Sequence, residues 1–316
     1  MVMRLSVLTA PQRSSSKRVK AGKWKKVVIS SFVPSLQFIM FVISNKATLA
    51  KSRKNHPGWF FHLDRCKKEN MKLAQIVLFT GIALSNLVSA QVFDVPYKDD
   101  PPTRTLLVPA PNAKAVVLLF PGGGGMLRLQ NDGSSTNFHT FVRSKNLWIQ
   151  YGIDAVLVDT PYDLGGGMRN SRSIRDHQQR ILNVVQYYKE KLNLPIWIFG
   201  HSMGTVSVTE FANGGKDQAG LISGVIIAGT YRSASIDSDV AMPVQAIHHV
   251  DDGCANTPFS ASEGIIKNRS GKSRSQFVAI EGGVSEGDVC GSKAYHGFNE
   301  KESEFIKTAA QFILKN

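Results

Sequence analysis

The five residues Gly200-His201-Ser202-Met203-Gly204 carry more chemical content than any other stretch of this chain. The apolar run Ile196-Trp197-Ile198-Phe199 leads into them and a helical stretch follows, which fits a sharp strand-to-helix turn with a serine at its tip. Such a turn needs the glycines, because a bulkier side chain would clash there. The turn lifts the Ser202 hydroxyl clear of the sheet edge. It also aims the N-terminus of the next helix at any negative charge that forms nearby. A serine in this place becomes a nucleophile once a base takes its proton.

Six histidines follow position 90: His139, His177, His201, His248, His249 and His296. His201 neighbours the serine on the turn, so its side chain is expected to point away. His177 falls in an expected helix, and His248 and His249 end an expected strand. His296 lies in the loop Tyr295-His296-Gly297-Phe298, which leaves the carboxyl end of the last strand on the same sheet edge as Ser202, and it is the expected general base and acid. The carboxylate that orients its ring is expected from Asp251-Asp252, after the strand Val244–His249; Asp252 is preferred to Asp251. The chain order Ser202, Asp252, His296 is the Ser…Asp…His order noted for one fold. For a developing oxyanion the Met203 amide is one expected donor. The glycine run after Phe120 supplies another, Gly123, with Gly124 beside it. That run lacks the Lys-Ser/Thr ending of a phosphate loop and the spacing of a dinucleotide fingerprint. The expected cofactor and metal content is therefore none.

The elements that must hold these residues read as an alternation. Arg104–Val108, Ala115–Phe120, Ala155–Val158, Pro195–Phe199, Val225–Ala228, Val244–Ile247 and Phe277–Ile280 are expected strands. Helices are expected over Asn137–Tyr151, Ile174–Leu192, Met203–Ala212 and Glu300–Leu314. Uniformly apolar strands alternating with amphipathic helices predict an α/β fold, a mostly parallel sheet covered by helices on both faces.

The chain has 316 residues and a formal charge of +14, from 38 Lys and Arg against 24 Asp and Glu. The excess is local. Residues 1–70 hold 15 basic and 2 acidic side chains, whereas residues 91–316 hold 22 of each. A body of zero net charge gives no case for nucleic acid as a partner. Met71-Lys72, the apolar Leu73–Leu87 and the small-residue site Val88-Ser89-Ala90 have the layout of a secretory signal peptide over 71–90, with Gln91 as the mature N-terminus. Translation is expected to start at Met71, leaving residues 1–70 as an upstream extension. The alternative is a membrane anchor built on the uncharged run Val27–Ser44, which has 18 residues and eight Lys or Arg on either side. Residues 91–316 are then one exported domain, periplasmic or secreted. Cys254 and Cys290 are expected to pair in an oxidising compartment, tying the acid loop to the base loop. Asn268-Arg269-Ser270 is a glycosylation sequon if the source glycosylates.

From about Thr105 to Leu314 the chain resembles the α/β-hydrolase superfamily, on the strand and glycine run Val116–Gly125, the elbow Gly200–Gly204, the acid loop His248–Cys254 and His296-Gly297-Phe298 before the last helix. The resemblance implies a serine hydrolase working through an acyl-enzyme, similar to small esterases of the dienelactone-hydrolase type, whose best-known members carry Cys where this chain has Ser202. Pro121 stands where many lipases and esterases have His, which points away from a lipase. Superfamily lids are inserted between the strands that end near Gly229 and begin at Val244. The stretch there is about fourteen residues, so no large lid is expected.

These readings converge on an exported carboxylesterase for a small-molecule ester. An amidase or thioesterase would use the same parts, and a non-catalytic binding protein on a hydrolase fold is the other class.

Overall fold

The computed structural model describes residues 89–160, 172–269 and 274–315. The upstream extension, the signal-like segment up to residue 88 and Ser270 of the sequon lie outside them. The described strands are β1 (Gln91–Tyr97), β2 (Asp100–Val108), β3 (Ala115–Phe120), β4 (Ile153–Val158), β5 (Ile196–His201), β6 (Gly224–Ala228), β7 (Val244–His249) and β8 (Ser275–Ile280). They form one eight-stranded sheet in the order β1-β2-β4-β3-β5-β6-β7-β8. Pairing is parallel from β4 through β3 to β8, and β2 runs antiparallel to both β1 and β4. The helices are α1 (Thr140–Ser144), α2 (Arg175–Leu192), α3 (Met203–Ala212), α4 (Lys216–Ala219), α5 (Phe259–Lys267) and α6 (Glu302–Leu314).

Every residue of β3 to β7 is buried, because side chains alternate across a sheet that helices cover on both sides. Val117 and Leu119 point to one face, where Phe141, Trp148, Trp197, Phe199, Phe305 and Phe312 pack. Val116, Leu118 and Phe120 point to the other, against Val184, Tyr188 and Phe211. The apolar side of α6 is the expected one, with Phe305, Ile306, Ala309, Phe312 and Ile313 buried.

Four elements differ from expectation, the first being the one-turn α4, which buries no residue. The edge strand β1 has only two buried residues, Val95 and Tyr97, too weak a pattern to read. The short α5 went unread as well, since it buries only Ser262 and Ile265. The helix expected over 137–151 is instead α1 followed by a 3₁₀ segment, Lys145–Tyr151, stopped by Gly152 in the left-handed conformation (φ 64°). Residues 229–243 between β6 and β7 contain neither helix nor strand, in keeping with the absence of a large lid there. Among the described residues no helix is long and apolar enough to cross a membrane.

Candidate active site

The register His201↔Ala228 and Ala228↔Ile247, and then His249↔Ile280, brings the carboxyl ends of β5 to β8 to one edge. Ser202, Asp252 and His296 leave from that edge. Ser202 sits between β5 and α3 with φ 54° and ψ −124°, a strained backbone for a residue with a side chain. The bonds around it hold it there. Its N–H donates to the Ala228 carbonyl at 2.9 Å, and its own carbonyl accepts from the Thr205 amide at 2.9 Å and the Thr205 hydroxyl at 2.6 Å. The flanking glycines are steric requirements. A Cβ on Gly200 would lie 2.3 Å from the Gly204 carbonyl oxygen, and one on Gly204 would lie 2.1 Å from that of Phe120.

His296 is 3% exposed and lies in a 3₁₀ turn, Tyr295–Gly297. Its Nδ1 is 2.8 Å from Asp252 Oδ2, while Asp251 has no such contact. Nδ1 carries the proton, since an ionised carboxylate only accepts, and Nε2 is left as the proton-exchanging nitrogen. Asp252 is held in turn by the Cys254 amide at 2.9 Å and the Thr257 hydroxyl at 3.1 Å. Its Oδ2 also lies 3.3 Å from Nε2 of the fully buried His248. Burial alone would raise the Asp252 carboxyl, but contact with His248 and His296 and the charge of His296 outweigh it, so the group is held well below the usual carboxylate range. A disulfide joins Cys254 to Cys290, linking the acid loop to the segment before His296.

Two histidines absent from the expected site are built into it. The His201 ring, expected to point away, packs on that of His296 with centroids 4.8 Å apart. Its Nε2 is 2.8 Å from the His296 carbonyl oxygen, which fixes the proton on that nitrogen. His201 Nδ1 is then an acceptor, 3.1 Å from His139 Nε2. His139 Nδ1 accepts the Phe141 amide at 3.1 Å, while the Gly122 amide also points at His139 Nε2 from 3.1 Å. On a neutral ring whose Nδ1 accepts, Nε2 carries the proton and donates to His201, so the Gly122 amide lies close to it without donating to it. Both rings are neutral. Burial pushes His201 down to about 3, and burial with the nearby cationic groups pushes His139 well below its usual value. No spacing in the sequence marks these residues; adjacency of His201 to the serine was the single available signal.

Gly122 to Gly125 run across the front of Ser202. Gly123 and Gly125 adopt φ 57° and 82°, which glycine alone takes without strain. These glycines, Ser202 and His296 line one cavity of about 750 Å³. Around it stand Arg128 and Lys293, Glu286 and Asp288, and Phe138, which is 67% exposed. Met203, at the N-terminus of α3, is buried behind the serine. Among the described residues no cluster of three or more His, Cys, Asp or Glu could hold a metal ion.

No protein-family model matches the sequence, and no curated protein matches it. Solved structures do. A dienelactone hydrolase from Anabaena variabilis is 14% identical, covering 72% of this chain and 98% of that one with a TM-score of 0.53. Thermogutta terrifontis esterase 2, solved phosphoramylated by tabun, is 13% identical over 72% of this chain and 94% of its own, with a TM-score of 0.52. An esterase of Pyrococcus furiosus is 9% identical over 72% and 93%, with a TM-score of 0.54. Identities this low speak for the fold. The strand order, the strained turn after β5 and these structural likenesses together give this chain the α/β-hydrolase fold.

Proposed function

We propose that this chain is an exported serine hydrolase that cleaves a carboxylic ester through an acyl-enzyme on Ser202. The observation that carries the reading is the 2.8 Å bond from His296 Nδ1 to Asp252, in a ring that shares its cavity with a serine held at φ 54°. Ser202 Oγ bonds to the acyl carbon while His296 Nε2 takes its proton. The carbonyl oxygen gains the charge and accepts from the amides of Met203 and Gly123. Asp252 stabilises the imidazolium and keeps its tautomer. The C–O bond to the alcohol then breaks, and the alcohol leaves with the proton from His296. Water, deprotonated by the same nitrogen, releases the acid and restores Ser202.

The ester reading is supported by three structural neighbours named for ester cleavage, a dienelactone hydrolase and two esterases. Among the described residues around the cavity two basic side chains balance two acidic ones, which favours a substrate without net charge. An uncharged, partly polar small ester fits. Export is supported by the signal-like segment over 71–90 and by the disulfide.

The test is labelling with a fluorophosphonate, followed by a screen of esters of graded acyl length on the Gln91–Asn316 chain. Ser202 should be modified in the folded protein, and Ser202→Ala should abolish labelling and turnover together. A folded protein in which Ser202 resists the reagent and no ester turns over would overturn the reading. Sequencing the N-terminus of the natural protein tests export: Gln91 is expected, and any peptide from residues 1–70 counts against a start at Met71.

A further inference from the structure

Arg172 precedes α2 and is 2% exposed. Burial lowers its guanidinium to about 10, so it is still a cation at neutral pH. Among the described residues no carboxylate pairs with it. Its donors go elsewhere: Nη2 to the carbonyl oxygens of Gly123 at 2.8 Å, Pro121 at 3.0 Å and Gly122 at 3.5 Å, and Nη1 to the Ser207 hydroxyl at 3.1 Å. Burying a cation is costly, and here the dipoles of three successive peptide units offset that cost.

Those peptides form the glycine run in front of Ser202. In a trans peptide the C=O of one residue points opposite to the N–H of the next. Drawing the carbonyls of residues 121, 122 and 123 toward the guanidinium turns the amides of Gly122, Gly123 and Gly124 away from it. Gly122 there packs directly on Ser202. The turn itself is closed by the Gly125 amide on the Gly122 carbonyl at 3.0 Å. Glycine at 125 admits the cation: a Cβ would sit 2.9 Å from Arg172 Nη2 and 2.0 Å from the Thr160 hydroxyl.

We propose that Arg172 is a positioning residue for the oxyanion site, setting the peptide planes of the glycine run and lending its positive charge to the field those amides project. The proposal rests on the reading of Ser202 as nucleophile. It places the effect of Arg172 in the step where the oxyanion is fully developed, so it belongs in kcat and not in KM.

Arg172→Lys keeps the charge but not the fork that holds the three carbonyls with Nη2 while Nη1 is anchored on the Ser207 hydroxyl. With para-nitrophenyl acetate and the full chain, kcat should fall about tenfold to hundredfold, in the range of losing one oxyanion donor. KM should stay within about twofold. The inhibition constant of a phenyl trifluoromethyl ketone, whose adduct on Ser202 carries the oxyanion, should rise by the same factor as kcat falls. If the lysine variant does not fold, Ser207→Ala takes its place. It frees Nη1, and the same proportionality is expected on a loss of about three- to tenfold. An unchanged kcat in a folded variant overturns the proposal, and so does a fall in kcat with the ketone constant unmoved. A wild-type chain that neither turns over the ester nor is labelled at Ser202 sinks the reading beneath the proposal, and is told apart by being seen before any substitution is made.

Discussion

A Cβ built on Gly122 would lie 2.7 Å from the Ser202 Cβ and 3.3 Å from its Oγ. The backbone of the glycine run is therefore in direct contact with the proposed nucleophile, with no room for a methyl group between them. Gly122→Ala should force the two segments apart. An ångström of displacement at a reacting centre costs about a hundredfold, and kcat should drop by about that much. Steady-state kinetics on a variant with an unchanged melting temperature checks this. Wild-type kcat would show that the two segments part without consequence for the site.

Asp252→Asn should leave the fold intact and remove most of the activity. The amide NH₂ cannot accept from His296 Nδ1, so the ring turns its proton to Nε2, where it can no longer take one from Ser202. A loss of about ten-thousandfold in kcat is expected for this change of tautomer. Asp251→Asn should be near neutral, because Asp251 is exposed and makes no contact with His296. Measuring both variants side by side separates the roles of the two carboxylates.

The buried neutral histidines predict acid sensitivity. Burial, as the largest cause, pushes His177 and His201 each down to about 3, whereas in an unfolded chain they titrate near 6.5. Below about pH 6.5 the unfolded chain thus binds more protons than the folded one. Stability is complete above that pH and is lost as pH falls toward about 3, by roughly 1.4 kcal/mol per unit for each ring, or about 2 kcal/mol each at pH 5. Urea midpoints should fall steadily from about pH 7 to pH 5. His177→Gln, which keeps a polar group opposite the Ser207 hydroxyl, 2.9 Å from His177 Nε2, should flatten that dependence by one proton. A pH-independent midpoint would contradict the burial argument.

The Cys254–Cys290 disulfide closes a segment of 36 residues, for which chain entropy predicts roughly 3–4 kcal/mol of stability. Replacing both cysteines by serine should lower the melting temperature accordingly. It should also reduce kcat at temperatures where the fold persists, because the Cys254 amide holds Asp252 and Cys290 lines the cavity. Calorimetry and kinetics on the same preparation check both effects. Stability lost with kcat unchanged would restrict the disulfide to stapling the fold.

Local pattern alone determined the alternation of buried strands and helices, the turn Gly200–Gly204 and the bounds of α3, because burial on both faces of a sheet and steric exclusion at a tight turn leave their mark on neighbouring residues. The logic of sheet edges pointed to His296 and to the pair Asp251-Asp252, and spacing from His248 and Cys254 put Asp252 first. Weakly buried elements such as β1 and α5 left no such mark, and the helix expected over 137–151 gave way to a 3₁₀ segment at Lys145, well before its stop at Gly152. The surroundings of the site were decided by the tertiary structure. His139, His201, His248, Thr257 and Arg172 come from segments far apart in the chain, and each acts through a contact that exists only once the strands lie in register. Sequence spacing encodes what a residue does to its neighbours along the chain. It does not encode which carbonyl a guanidinium 50 residues away will find, because that distance is set by the packing of the whole sheet.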